Sequence, residues 1–155
     1  MFLNYPFLVG SHETEWAKQS KSRQSYYMGL ASRVAQKSDM AHKHGCVIVL
    51  DDEVLSVGHN FHTEHMYHSF SIHAEVDALK KINRRKYKNV FSRMELYVVR
   101  IGCGKFEGTL KYSKPCEGCQ KAIEKYGIQK IYYSTNYDYE ERLKEIMTSE
   151  SETSM

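Results

Sequence analysis

The chain has 155 residues, 41% hydrophobic and 26% charged, with 22 basic against 19 acidic residues and a formal net charge of +3. These proportions belong to an ordinary globular protein and exclude a disordered, collagenous or disulfide-dense chain. No apolar run approaches the roughly 18 residues of a membrane span, so a membrane partner is not expected. The length suits one domain over residues 1–155, with a core over about 14–147 and a polar tail over 148–155.

The first nine residues are apolar but short, and lack the basic stretch and cleavage site of a secretory signal. From about Thr14 a helix is expected, because Tyr27, Leu30, Ala31, Val34 and Ala35 recur at helical spacing. Gly45 to Leu50 reads as a buried strand rich in β-branched residues, Asp51 to Glu53 as a turn, and Val54 to Asn60 as a second strand. Cys46 in this setting is a small buried hydrophobe. Phe61 to Ser71 reads as a polar loop crowded with histidine. Seven of the eight histidines lie between His42 and His73. An exposed loop explains His62, His65 and His68 without a ligand, while a second metal site is the sharper alternative.

A helix is expected from His73 to about Arg85, with Ser71 as N-cap and Ala74, Ala78, Leu79 and Ile82 on its apolar face. A third strand follows at Met94–Arg100. Ile101 to Ser113 holds three glycines and reads as a loop with room for a short hairpin. A helix from Cys116 to Tyr126, capped by Gly127, precedes a strand over Ile128–Ser134. A last amphipathic helix is expected from Tyr137 to about Met147. Strands alternating with helices indicate an α/β fold, with helices packed on a mixed sheet.

Two stretches carry chemistry: His73-Ala74-Glu75 and Pro115-Cys116-Glu117-Gly118-Cys119. One histidine and two cysteines make a three-ligand set for zinc (Zn2+), which leaves a tetrahedral position open, whereas structural zinc sites close it with a fourth ligand. Cys116 and Cys119, three apart on one helical face, reach one ion. Pro115 suits a helix start, and both half-motifs fall at helix N-termini, where the positive end of the helix dipole favours thiolates. Glu75 stands two residues from the histidine and is placed to carry protons. A C-x-x-C after proline reads as metal ligation in a reducing compartment, hence a cytoplasmic protein.

The order H-x-E … P-C-x-x-C resembles the signature of zinc nucleobase deaminases. The chain from about Tyr27 to Ser134 resembles the cytidine and deoxycytidylate deaminase superfamily. Tyr27-Met28-Gly29-Leu30-Ala31 looks like its first helix, Gly45-Cys46-Val47-Ile48-Val49 like its first strand and Gly58-His59-Asn60 like its G-x-N. The resemblance implies a three-layer fold, a mixed central sheet of about five strands with helices on both faces. It implies zinc ligation by His73, Cys116 and Cys119, Glu75 as catalytic proton shuttle, Asn60 as a substrate contact at the sugar, and the Ala74 N–H as a contact to the base carbonyl.

Histidine as first ligand resembles deoxycytidylate, tRNA-adenosine and polynucleotide deaminases more than small free-cytidine deaminases. Asp77 departs from the deoxycytidylate pattern, which often has Asn there. Some deoxycytidylate deaminases hold a second, structural zinc near the histidine loop, which again singles out His62, His65 and His68. The expectation is a zinc-dependent hydrolytic deaminase of a cytosine nucleotide or nucleoside, dCMP to dUMP foremost, assembled as a homo-oligomer. A polynucleotide deaminase is the first alternative, suggested by the lysine and arginine clusters at 80–88 and 105–114 and by twelve tyrosines. A catalytically silent, zinc-stabilised interaction subunit is the second, and the presence of Glu75 argues against it.

Overall fold

The computed structural model describes residues 15–65, 68–106 and 109–135. The elements run α1 (Glu15–Ala35), β1 (Lys43–Leu50), β2 (Glu53–His59), β3 (Phe61–His65), β4 (His68–Ile72), α2 (Ala74–Lys80), β5 (Glu95–Ile101), β6 (Leu110–Lys111), α3 (Glu117–Tyr126) and β7 (Lys130–Tyr133). Short 3-10 turns lie at Phe91–Arg93 and Gly104–Phe106. The helix expected over Tyr137–Met147 lies outside the described residues.

The main sheet has five strands in the order β2-β1-β5, with β6 and β7 both on the remaining edge of β5. β7 runs parallel to β5 and the other pairings are antiparallel. Cys46–Val49 and Leu96–Val99 are fully buried because β1 and β5 are covered on both faces, hence their continuous apolar runs. Alternation divides them. Val47, Val49, Tyr97 and Val99 meet Tyr27, Met28, Ala31 and Ala35 of α1. Cys46, Ile48, Leu96 and Val98 meet Ala74, Ala78 and Leu79 of α2 and Ile123 of α3. The result is three layers: one helix, a sheet, two helices.

Two glycines set how closely helices approach the sheet. A Cβ on Gly45 would stand 2.0 Å from the Ala31 carbonyl oxygen of α1, and one on Gly58 would stand 2.5 Å from that of Ala74 in α2. Asp51 and Asp52 both take positive φ, which makes the two-residue turn that hairpin twist favours.

The expected loop over Phe61–Ser71 is instead a β-hairpin, a second sheet of β3 and β4. Phe61 pairs with Ile72 and Thr63 with Phe70, the β-branched and aromatic pairs that favour strands. The interleaved histidines hid this alternation. Ser71 pairs with His62 in the hairpin and so does not cap α2, whose N-cap is His73. α2 ends at Lys80, short of Arg85, because the Asn83 side chain accepts from the Arg85 and Lys86 N–H groups and turns the chain. The short hairpin expected before Ser113 is present as β6 on β5.

Candidate metal centre and catalytic cavity

α2 and α3 pack side by side on one face of the sheet, each beginning at the same edge of the molecule. His73 is the N-cap of α2 and Cys116 the N-cap of α3, and both have extended backbone. Cys119 lies one turn into α3 and is buried. His73 Nδ1 stands 3.2 Å from Cys119 Sγ and 3.6 Å from Cys116 Sγ. All three donor atoms lie within 4.8 Å of one another, the only such group of three among the described residues. Tetrahedral zinc bonds of about 2.1 Å to nitrogen and 2.3 Å to sulfur set neighbouring ligand atoms about 3.6 Å apart, so the donors fit zinc in type and spacing. Burial, then the nearby Glu75 carboxylate, pushes the Cys119 thiol far above its usual range. A cation at the donors reverses that balance, because a coordinating thiol is deprotonated by its metal.

Glu75 is buried, with 4% of its surface exposed. Its carboxylate is close enough to the Cys119 thiol to raise its pKa, and it lines a cavity of about 220 Å³. Ala74, His73 and Cys116 line that cavity with Glu75, together with Met40, His42, His44, Asn60, Ser113 and Lys114. Ala74 opens α2, and first-turn amides have no intrahelical acceptor.

Asn60 follows the last residue of β2 and is buried. Its Oδ1 accepts from the His44 N–H at 2.9 Å and its Nδ2 donates to the His42 carbonyl at 2.6 Å. It thereby holds the His42–His44 segment against the cavity, and its Nδ2 also lies 3.5 Å from His44 Nδ1. Arg100 of β5 donates through Nη2 to His42 Nδ1 at 2.6 Å. Asp77 accepts from the His59 N–H and the Lys81 ammonium and does not line the cavity. The Ser113–Ser134 hydroxyl pair, 2.7 Å apart, ties the approach to Pro115 onto β5 and β7: Ser113 Oγ donates to the Val98 carbonyl and Ser134 Oγ to that of Lys111.

Of the residues singled out in the sequence, His73, Ala74, Glu75, Cys116 and Asn60 line one cavity and Cys119 adjoins it. His62 is exposed and is not among the residues lining that cavity; in the β3–β4 hairpin its backbone pairs with Ser71, and that of His65 with His68. Sequence reasoning passed over His42 and His44. The signal was their i, i+2 spacing at a strand start, which puts both on one face. Cys103 is exposed, with its thiol 3.5 Å from the Ala41 carbonyl.

No helix among the described residues is long and apolar enough to cross a membrane. Among curated proteins, none matches the chain in sequence. Among solved structures, the chain is similar to the apo dCMP deaminase of cyanophage S-TIM5, at 26% identity and a TM-score of 0.55 over 80% of this chain and 91% of that one. The same phage enzyme in complex with dCMP and dUMP aligns at 24% identity and a TM-score of 0.53, over 82% and 87% of the two chains. A cytidine deaminase from Burkholderia pseudomallei shares the fold at 20% identity and a TM-score of 0.50, over 71% and 82%. The family model described as the cytidine and deoxycytidylate deaminase zinc-binding region matches residues 21–135. With that match over most of its length, the chain belongs to the cytidine and deoxycytidylate deaminase family and is a zinc-dependent deaminase.

Proposed function

We propose that the protein deaminates dCMP to dUMP, with His73, Cys116 and Cys119 as zinc ligands and Glu75 as the catalytic acid–base. The carrying observation is the make-up of the cavity that Glu75 lines: it brings the metal donors His73 and Cys116 together with His42, His44 and Lys114. Behind His42 stands Arg100, a permanent cation whose Nε is buried without a protein acceptor. The charges of Lys114 and Arg100, with histidine ring N–H groups as donors, suit the phosphate of a nucleotide better than an uncharged nucleoside. The similarity to a phage enzyme crystallised with dCMP and dUMP supports the same substrate.

Zinc, when bound, makes a water nucleophilic near neutral pH. Glu75 takes the proton of the attacking water as its oxygen bonds to ring carbon C4, and delivers it to N3. It then takes the second proton, from the new C4 hydroxyl, and passes it to the exocyclic amine; C4=O forms, the C4–N bond breaks and ammonia leaves. Burial of Glu75 keeps bulk water from this transfer. The Ala74 N–H, at the positive end of α2, holds the base carbonyl. Asn60 contacts a sugar hydroxyl by exchanging its long 3.5 Å Nδ2 contact with His44 Nδ1 for the substrate.

Ammonia release from dCMP, CMP, cytidine, deoxycytidine and cytosine tests the reading on zinc-loaded protein. The expected kcat/KM for dCMP exceeds that for deoxycytidine by about 10²-fold, the scale of two lost charge-assisted hydrogen bonds. Lys114→Ala should raise KM for dCMP and leave deoxycytidine turnover unchanged. Silence on all five compounds sinks the proposal.

A further inference from the structure

The nine residues 80–88 hold six lysines and arginines and no carboxylate, while the whole chain is only +3. The rest of the chain is therefore net acidic, and positive charge is concentrated in this stretch. It lies at the end of the molecule away from the metal donors. α2 and α3 both start beside those donors, and ten residues of α3 carry the chain about 15 Å away from them at 1.5 Å per residue. The Arg84 guanidinium sits 4.4 Å over the ring of Tyr126, the last residue of α3, so the stretch spans the far ends of both helices.

Part of this charge has a local explanation. Lys80 is in the last turn of α2, where a cation complements the helix dipole. Lys81 is engaged by Asp77 and by the Val57 carbonyl. Arg84, Arg85, Lys86 and Lys88 remain. All four are exposed, and none has a carboxylate partner among the described residues. They stand on an anchored turn. Asn83 closes it through the Arg85 and Lys86 N–H groups, and Tyr87 and Val90 pack against the core. The Lys86 ammonium lies 5.3 Å from the Tyr87 ring centroid. Four like charges held together repel one another, and a bound polyanion relieves that repulsion.

The geometry points to a docking surface on this turn for the phosphodiester backbone of a nucleic acid, remote from the deaminase cavity. The exposed large hydrophobic residues among those described, Tyr26, Val54 and Tyr112, lie on other elements. A protein partner uses buried apolar anchors, whereas a backbone contact needs only cations. With no exposed aromatic platform on the turn, recognition is independent of base sequence.

The test is fluorescence anisotropy of the zinc-loaded full chain with a labelled thymidine 20-mer and with a 20-base-pair duplex, titrated with KCl. Four contacts predict that affinity for the single strand falls about fifty-fold between 50 and 200 mM salt, and somewhat more steeply for the duplex. The tighter arm identifies the form of nucleic acid. The double variant Arg85→Glu/Lys88→Glu spares both cation–aromatic contacts. It should weaken binding at least about tenfold at 100 mM salt while Tm and dCMP turnover stay unchanged. No binding, or equal binding by the variant, overturns the proposal. Displacement by polyglutamate at equal charge concentration also overturns it, in favour of an acidic protein. Because the readout is binding, its failure is separate from any failure of the dCMP reading.

Discussion

The Glu75 carboxylate and the Cys119 thiol are electrostatic neighbours, yet their substitutions should fail in different ways. Glu75→Ala should keep stoichiometric zinc and fold while kcat falls by about 10²–10⁴-fold, the usual contribution of a positioned acid–base. Metal content by emission spectroscopy beside turnover separates the two effects, and turnover at the parental rate refutes the mechanism. Cys119→Ser should lose zinc and lower Tm together. His44 supplies a pH prediction. Burial, foremost, lowers its pKa below 6.5, with Arg100 and His73 adding repulsion against the partial support of the His42 carbonyl. As pH falls through about 6.5, the unfolded chain binds a proton at His44 before the folded one does, so stability is lost toward lower pH. His44→Gln should flatten the fall of Tm below pH 6.5. An unchanged slope would show that His44 is not the group responsible. At this scale the metal donors and Glu75 were legible from spacing alone, because helix starts and a C-x-x-C turn are local geometry. The pairing of Arg100 with His42 joins residues 58 apart in sequence and has no local signature.

Gly45 and Gly58 look alike in the sequence, but they admit helices on opposite faces of the sheet. A methyl at either meets helix backbone, which cannot swing aside as a side chain does. Each alanine variant should cost about 1–3 kcal/mol in urea unfolding. Only Gly58→Ala displaces α2, with His73 at its N-cap and Glu75 in its first turn, so only it should also weaken zinc retention and turnover. Equal functional loss in both variants would contradict that division. Ser134→Ala removes the hydroxyl that holds the Lys111 carbonyl and faces Ser113. The expected loss is about 1–2 kcal/mol, with lower zinc affinity because the Lys114–Pro115 approach loosens. The strongly periodic elements were readable beforehand: α1, the β1–β2 hairpin and α3 with its Gly127 cap at φ 97°. The β3–β4 hairpin was not. Its strands are short, and they are held by cross-strand pairing that a linear reading of polar residues does not display.

Across the molecule, α1 is tied to the sheet by one ionic cluster. Arg23 forks onto both oxygens of Glu95 at 2.7 Å and also meets Asp52, while the Tyr97 hydroxyl donates to Glu95. Glu95 is buried, so Arg23→Gln leaves a carboxylate with no cation and should cost about 2–3 kcal/mol, somewhat below the fully buried range because Arg23 is partly exposed. Adding Glu95→Gln should recover part of that loss. No recovery would mean that the pair is uncoupled. This cluster stands apart from the cavity, and zinc retention should be unaffected. The α/β class, helices α1 and α3, the β1–β2 hairpin and the zinc half-motifs followed from the sequence alone, because periodicity, capping and ligand spacing act over a few neighbouring residues. The shared edge of β5, the cavity lining from His42, His44 and Asn60, the pairing of β3 with β4, and the cationic turn closed over Tyr126 were decided by tertiary structure. Each depends on strand register or helix packing between distant segments, where burial and hydrogen bonding select one arrangement among many that the local sequence allows.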